Sequence, residues 1–259
     1  MVTLGDDDFD PLLTGFALIT GGSRGIGAAT ARLLARQGWN VCVSYRVAQQ
    51  AADEVVAACR AAGRQALAVR ADVSCEADVT ELFGQADELG TLRALVNNAG
   101  MVAPTARVDE MDARRVEQMM AVNVVGPFLC AREAVRRMST RHGGSGGAIV
   151  NVSSAAARLG SAGEYVDYAA SKGAVDTMTI GLAQEVAAEG IRVNAVRPGF
   201  IETDIHASAV QPDRLERVRP SIPMQRTGRP DEIAEAIAWL CSDAASYVTG
   251  ALVDACGAR

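Results

Sequence analysis

Short apolar runs alternate with longer Ala-rich stretches along this 259-residue chain. The apolar runs, which are rich in Val, Leu and Ile, predict strands at 15–20, 40–44, 65–70, 94–97, 147–152, 191–196 and 250–253. The stretches between them predict helices at 25–37, 47–62, 75–88, 111–140, 164–189 and 230–241. Strands that alternate with helices, and that are apolar on both faces, predict an α/β fold with a doubly wound parallel sheet and helices on both faces.

The pattern shows one domain with two irregular segments. Residues 1–14 carry four of the aspartates and are expected to form an acidic, solvated tail, whereas 15–259 shows no change of composition and is expected to be a single domain. The segment 199–229 contains several prolines and no clear strand or helix pattern. Because long connections in compact domains are often binding loops, we expect this segment to cover a substrate.

Composition and charge exclude several classes of protein. The net charge is −6 and no basic stripe is present, so nucleic-acid binding is not expected. No uninterrupted apolar run of about 18 residues or more predicts a membrane span, and the first residues lack a secretory signal pattern. The six cysteines are scattered and only two histidines accompany them, which predicts reduced cysteines, no metal site and a cytoplasmic protein.

A glycine-rich turn follows the first predicted strand. The sequence "TGGSRGIG" at 20–27 places Gly21, Gly25 and Gly27 between this strand and the next helix. Glycines allow the backbone to turn tightly and to approach a pyrophosphate, and the helix N-terminus offers free N–H groups. The turn therefore predicts a dinucleotide-binding loop and a Rossmann-like sheet.

The second predicted strand indicates which dinucleotide is bound. An acidic residue near its end would favour NAD(H), whereas arginine suits the 2′-phosphate of NADP(H). The chain reads Ser44-Tyr45-Arg46 here, and Arg24 lies inside the glycine loop. NADP(H) is therefore favoured over NAD(H), although each arginine would also fit a solvated surface.

One helix carries a tyrosine and a lysine at a suggestive spacing. In "EYVDYAASK", at 164–172, Tyr168 lies four residues before Lys172, which places both side chains on one helix face. A nearby ammonium group is expected to lower the pKa of the tyrosine and bring it closer to neutrality as an acid or base. Tyr165 lies two turns from the lysine and is expected at the substrate entrance.

Seven motifs in one order resemble the short-chain dehydrogenase/reductase family. They are "TGGSRGIG" (20–27), "DV" (72–73), "NNAG" (97–100), Asn123, "SS" (153–154), "YAASK" (168–172) and "RPGFIET" (197–203). The resemblance covers the chain from about residue 15 to its C-terminus. It implies hydride transfer between a nicotinamide cofactor and a small carbonyl or alcohol substrate, in a homotetramer.

The same resemblance implies a catalytic set of four residues. Tyr168 would exchange a proton with the substrate oxygen, and Lys172 would hydrogen-bond the nicotinamide ribose. Asn123 would distort its helix and bind a water that links the lysine to solvent. Ser154, the second serine of its motif, would bind the reacting oxygen. The loop before Tyr168 looks one residue longer than in many family members, so Ser153 remains the alternative.

The resemblance also implies a set of cofactor-binding residues. They are Gly21, Ser23, Arg24, Gly25, Ile26, Gly27, Arg46, Asp72, Val73, Asn98, Ala99, Gly100, Tyr168, Lys172, Pro198, Gly199, Ile201 and Thr203. Asp72 would bind the adenine amino group, or instead cap the following helix. The Ile201 backbone and the Thr203 hydroxyl would hold the nicotinamide carboxamide.

Three other functions stay open at this stage. A reductase of 3-oxoacyl thioesters on acyl carrier protein would need a basic patch, which Arg132, Arg136, Arg137 and Arg141 would supply on the helix 111–140. An NAD-dependent sugar or polyol dehydrogenase would use the same catalytic set. A non-catalytic dinucleotide sensor is disfavoured, because such family members tend to lose part of the Ser/Tyr/Lys set that this chain retains.

Overall fold

The computed structural model describes residues 15–203 and 218–259. Within these ranges seven parallel strands form one sheet in the order β3-β2-β1-β4-β5-β6-β7. The strands are β1 Gly15–Ile19, β2 Asn40–Tyr45, β3 Ala66–Arg70, β4 Thr91–Asn97, β5 Gly147–Val152, β6 Ile191–Pro198 and β7 Leu252–Ala255. The predicted α/β fold with a doubly wound parallel sheet is confirmed.

Helices connect the strands and cover both faces of the sheet. They are α1 Gly25–Arg36, α2 Gln49–Ala61, α3 Glu76–Ala86, α4 Ala113–Met120, α5 Gly126–Met138, α6 Ala156–Leu159, α7 Val166–Val186 and α8 Pro230–Cys241. Buried side chains of α1, α2 and α8 pack on one face of the sheet. Those of α3, α5 and α7 pack on the other face, so every central strand is buried on both sides as its apolar sequence predicted.

The predicted helix 111–140 is interrupted in the structure. It begins at Ala113 because the Asp112 side chain accepts a hydrogen bond from the Arg115 N–H and caps the first turn. A π-helical turn, Ala121–Val125, then separates α4 from α5. Asn123 lies in this turn, so the irregularity expected around it is observed.

The sheet order places a crevice beside β1. This strand pairs with β4, and the chain leaves the carboxyl end of β1 towards β2 but leaves that of β4 in the opposite direction, towards β5. Ligands of open α/β sheets bind at such a switch point. The carboxyl ends of β1 and β4 carry the glycine loop and the sequence "NNAG", respectively.

Some predicted segments lie outside the described residues. The acidic tail 1–14 is one of them, and positions 204–217 of the predicted substrate-covering segment are the other. Among the helices of the described ranges, none combines the length and apolarity that a membrane crossing requires.

Candidate active site

A cavity of about 950 Å³ lies at the carboxyl ends of the strands. Of the residues predicted to bind cofactor or to act in catalysis, all except Gly27 and Asn123 line it. The structure thus brings the glycine loop, the end of β2 and the Tyr-Lys helix to one continuous space. We call the part near the glycine loop and Arg46 the cofactor end, and the part near Ser154 and Tyr168 the catalytic end.

The glycine loop forms a backbone wall at the cofactor end. Gly21 and Gly25 have φ angles of 62° and 54°, a conformation that other residues rarely adopt. A Cβ atom on Gly21 would lie 2.9 Å from the Cα atom of Ala99. The first turn of α1 carries no side-chain cap at Arg24, so its N–H groups stay available for an anion. These features fit the pyrophosphate of a dinucleotide.

Asn98 attaches the glycine loop to the end of β4. Its Nδ2 atom donates to the carbonyl oxygens of Thr20 and Gly21 at 2.9 and 3.0 Å. The Thr20 hydroxyl in turn accepts hydrogen bonds from the N–H groups of Asn98 and Ala99, each at 3.0 Å. Gly27 lies behind this contact, where a Cβ atom would come within 2.5 Å of the Asn98 amide. Gly27 therefore supports the loop through packing and does not line the cavity.

Arg46 and Asp72 face each other at the far side of the cofactor end. The Arg46 Nη1 atom lies 3.6 Å from Asp72 Oδ2. Partial burial opposes ionisation of Asp72, but hydrogen bonds from Ser74 and the charge of Arg46 lower its pKa. The Asp72 carboxylate binds the Ser74 hydroxyl and N–H at 2.6 and 3.0 Å and does not cap α3.

Tyr168 and Lys172 lie one turn apart on α7, as their spacing predicted. The Lys172 Nζ atom lies 5.7 Å from the centre of the Tyr168 ring and donates to the Val152 carbonyl at 2.8 Å. Burial lowers the pKa of Lys172 to about 8, against the opposing charge of Asp176. Burial raises the pKa of Tyr168, and a hydrogen bond with Ser154 offsets part of that rise. The expected net lowering of the tyrosine pKa is therefore wrong for this structure, because desolvation raises the pKa and the opposing contribution comes from Ser154 and not from the lysine.

The two adjacent serines at the end of β5 have different surroundings. The Ser153 hydroxyl is buried and donates to the carbonyl oxygen of Lys172 at 3.2 Å. The Ser154 hydroxyl accepts the Ala156 N–H at 3.1 Å and lies close enough to Tyr168 to lower the pKa of that tyrosine. A substrate oxygen that meets Tyr168 would thus also meet Ser154.

Asn123 is fully buried beside the cavity and not in it. Its Oδ1 atom accepts the Met101 N–H at 2.8 Å, and its Nδ2 atom donates to the Met101 carbonyl at 2.9 Å. The same amide donates to the Ser171 hydroxyl at 3.1 Å. Asn123 therefore links the segment after "NNAG" to α7. The contact on α7 is Ser171, which lies between Tyr168 and Lys172 in sequence.

An ion pair that the sequence did not reveal holds the start of α7. Arg115 donates from Nε to Asp167 Oδ2 at 2.8 Å and from Nη1 to the Pro104 carbonyl at 2.6 Å. Asp167 is buried and directly precedes Tyr168. Because the two residues lie 52 positions apart in sequence, no local sequence pattern predicts this ion pair.

The catalytic end has a mixed wall. Apolar, aromatic and charged side chains line it beside Ser154 and Tyr168, namely Met101, Leu159, Tyr165, Phe200 and Arg259. Tyr165, which the sequence placed at the substrate entrance, is buried with an exposure of 3% and lines this wall. Arg259 is the C-terminal residue, and its contribution was not predicted.

The sequence was compared with known families and proteins. The family described as enoyl-(acyl carrier protein) reductase matches residues 21–257. The uncharacterized oxidoreductase YgfF of Escherichia coli is 56% identical over 244 residues, which cover 94% of this chain and 99% of that protein. Cis-4-hydroxycyclohexanecarboxylate dehydrogenase of Sinomonas cyclohexanicum is 42% identical over 92% of this chain and 93% of its own.

Solved structures share the fold over nearly the whole chain. A short-chain dehydrogenase from Burkholderia cenocepacia, in complex with NADP, superposes with a TM-score of 0.87 at 32% identity, covering 95% of this chain and 98% of that chain. A 3-ketoacyl-(acyl-carrier-protein) reductase from Brucella melitensis, complexed with NADH, gives a TM-score of 0.87 at 34% identity with the same coverage. These similarities support a nicotinamide dinucleotide as cofactor.

Proposed function

The chain belongs to the short-chain dehydrogenase/reductase family of oxidoreductases, and we propose that it interconverts a carbonyl compound and a secondary alcohol with NADP(H). The observation that carries the proposal is that Tyr168, Ser154 and Lys172 line the same cavity as the glycine loop. A bound nicotinamide dinucleotide supplies or accepts the hydride. The side chains of this protein then have to manage the proton and the substrate oxygen.

Tyr168 is proposed to transfer the proton. Because burial raises the pKa of Tyr168, its hydroxyl stays protonated at neutral pH and can donate to a carbonyl oxygen during reduction. The Ser154 hydroxyl would hydrogen-bond the same oxygen and stabilise the negative charge that develops on it. The product alcohol then carries the proton from Tyr168 on its oxygen and the hydride on its carbon.

Lys172 and Asn123 are proposed to support this proton transfer. The Lys172 ammonium lies against the Tyr168 ring and would hold the nicotinamide ribose. Asn123 lies in the π-helical turn, with its side chain bound to Met101 and Ser171. We propose that this turn binds the water through which the lysine exchanges protons with solvent.

Arg46 and Arg24 support the preference for NADP(H). Both line the cofactor end, and β2 ends in Tyr45 followed by Arg46, without an acidic residue that would bind a ribose 2′-OH. The Arg46–Asp72 ion pair is long and solvent-exposed, so it costs little to break when the arginine turns towards a 2′-phosphate.

A substrate panel tests the proposed function. The purified protein would be mixed with NADPH or NADH and with cyclic ketones, open-chain ketones, aldoses and 3-oxoacyl thioesters, and loss of the reduced-nicotinamide absorbance would be followed. The proposal expects turnover of at least one ketone, with a higher kcat/KM for NADPH than for NADH. Tight NADPH binding without any turnover would instead indicate a dinucleotide sensor. Preferred turnover of sugars with NADH would favour the polyol dehydrogenase.

The charge pairs on α5 weaken the hypothesis that the protein reduces 3-oxoacyl thioesters on acyl carrier protein. The arginines of α5 that would form a basic patch are paired with acidic residues: Arg132 and Arg136 with Glu133, and Arg137 with both Glu133 and Asp87. These pairs leave less positive charge for an acidic carrier protein. If the enzyme reduced a 3-oxoacyl group on acyl carrier protein at least about tenfold better than on a small thiol, this alternative would be favoured.

We also propose that the protein forms a homotetramer. Val125 in the π-helical turn, Phe128 on α5 and Ile180 on α7 expose apolar surface, and so do Trp239 on α8 and Tyr247. Two separate self-complementary patches would suit a tetramer with two kinds of interface. Light scattering of the protein and of Phe128→Asp tests this, because a smaller assembly is expected only for the variant.

A further inference from the structure

The backbone of Arg259 is fixed at the catalytic end of the cavity. The carbonyl oxygen of Arg259 accepts a hydrogen bond from Arg158 Nη2 and another from Cys256 Sγ, the latter at 2.9 Å. Its N–H donates to the Cys256 carbonyl at 3.4 Å. These contacts hold the backbone of Arg259 close to Cys256, which follows β7, and to α6, which contains Arg158.

The Arg259 guanidinium is held in a defined position. Its central carbon lies 4.8 Å from the centre of the Phe200 ring, so the group stacks on an aromatic face. Its Nη1 atom also donates to the Ser221 hydroxyl at 2.8 Å. A guanidinium group carries five N–H donors, and these contacts leave several of them available. Both Phe200 and Arg259 line the cavity that contains Tyr168.

The charges around the cavity are unevenly distributed. Arg24, Arg46 and Asp72 line the cofactor end, and Lys172 is committed to the Val152 carbonyl. Glu164 lies on the exposed rim of the catalytic end. Across residues 15–203 and 218–259, no carboxylate forms an ion pair with Arg259. Among the described residues, the catalytic end is therefore a partly apolar space with Arg259 as the oriented cation on its wall.

We propose that Arg259 binds a carboxylate on the substrate, at a distance from the carbonyl group that is reduced. The inference rests on the proposed function and adds a substrate class to it, namely oxo acids and the corresponding hydroxy acids. A planar guanidinium matches a carboxylate by two parallel hydrogen bonds. Because Phe200 and Ser221 already hold the group, little conformational entropy is lost when the anion binds.

Matched pairs of charged and neutral substrates test this subsite. The probes are 4-oxocyclohexanecarboxylate and straight-chain oxo acids of increasing length, each beside its methyl ester. Wild-type enzyme without a C-terminal tag is expected to have the higher kcat/KM for the acid of at least one pair. Arg259→Gln should lower kcat/KM for that acid by about 10- to 100-fold, as expected for a lost charge-assisted hydrogen bond, and for the ester by less than about threefold.

Two further variants separate recognition from folding. Arg259→Lys keeps the charge without the planar fork and should recover part of the activity on the acid. Arg141→Gln removes an exposed arginine outside the cavity and should leave kcat/KM unchanged for both the acid and its ester. Cyclohexanecarboxylate, which has no carbonyl group to reduce, should inhibit wild-type enzyme competitively and inhibit Arg259→Gln more weakly.

The possible outcomes are distinct. Equal losses on the acid and its ester, or weaker NADPH binding in Arg259→Gln, would overturn the subsite and assign the arginine to structure or to the cofactor. Turnover of the esters without any preference for the acids would also overturn it, while leaving the proposed function intact. Absence of turnover with every carbonyl compound would instead contradict the proposed function itself.

Discussion

At the cofactor end of the cavity the wall is mostly backbone, made by the glycines of residues 20–27 and the first turn of α1. At the catalytic end the wall is mostly side chains, and contacts between residues distant in sequence hold α7, which carries Tyr168 and Lys172. Arg115 holds Asp167 across 52 positions, and Lys172 holds the Val152 carbonyl across 20. The first wall follows from a short local sequence, whereas the second exists only once the whole domain has folded.

This difference predicts two kinds of defect. Changes in the glycine loop should weaken NADPH binding, because the backbone itself forms the binding surface. Changes at Arg115 and Ser154 should lower kcat and leave NADPH binding nearly intact, because these residues position or contact the substrate oxygen and not the cofactor. The following substitutions test this contrast, beginning with the largest expected effect.

Arg115→Met should have the largest effect on stability. It leaves the Asp167 carboxylate buried without its partner, which costs about 3–5 kcal/mol of unfolding free energy. Urea denaturation would measure the loss, and kcat should fall in the variant that remains folded while the Kd for NADPH stays close to wild type. The exposed neighbour Arg114→Met serves as the control. A stability equal to wild type would show that the pair does not hold α7.

Ser154→Ala should have the next largest effect, which is a loss of kcat. Loss of one hydrogen bond to the developing oxyanion lowers kcat by about 10²- to 10³-fold. Removal of the Ser154 hydroxyl should also raise the pKa of Tyr168, because that hydroxyl now lowers it. The rising limb of alcohol oxidation against pH should therefore move to higher pH. Ser153→Ala is the matched variant, and a larger loss of kcat there would reverse the assignment of the two serines.

Gly27→Ala should weaken the cofactor end. The added Cβ would lie 2.5 Å from the Asn98 amide and 2.6 Å from the Gly21 carbonyl, so the loop must shift. We expect about a tenfold or greater rise in the NADPH Kd and a loss of about 1–3 kcal/mol of stability. Gly84→Ala is the control, because nothing lies within 4 Å of its Cβ position. Unchanged NADPH fluorescence titrations for Gly27→Ala would contradict the backbone account.

Replacement of Lys172 by methionine should have a smaller effect on stability, and the size of this effect should depend on pH. Burial lowers the pKa of Lys172 in the folded state to about 8, below the usual lysine value of 10.5, so the unfolded chain binds more protons between these values. Wild-type stability should therefore rise relative to Lys172→Met by roughly 1 kcal/mol per pH unit from about pH 8 towards 9.5. Urea denaturation of both proteins across this range measures the difference. A constant difference would show that the lysine is not desolvated as the structure indicates.

The sequence predicted the local features of the fold and the site. The strand positions, the glycine loop and the Tyr168–Lys172 pair follow from patterns within a few residues, and all appear in the structure. The start of β4 at Thr91 was missed because polar residues and Arg93 interrupt its apolar run. The full extent of this strand is set by its pairing with β1 and β5.

Features that depend on contacts between residues distant in sequence could not be predicted from the sequence. The raised pKa of Tyr168 depends on burial by the assembled domain, which the i, i+4 spacing does not show. The buried Arg115–Asp167 pair and the position of Arg259 likewise join residues from separate elements. Which of Ser153 and Ser154 meets Tyr168 depends on the backbone after β5, and only the structure distinguishes their hydrogen bonds.

The most direct test of the account is the kcat for ketone reduction by Tyr168→Phe, measured beside the NADPH Kd of the same protein. Loss of the proton donor should lower kcat by about 10²- to 10⁴-fold, while NADPH binding changes by less than about threefold. Tyr165→Phe, which alters the other tyrosine of the wall, should keep most of the activity. Reduction by Tyr168→Phe within about tenfold of the wild-type rate would contradict the central claim that Tyr168 supplies the proton.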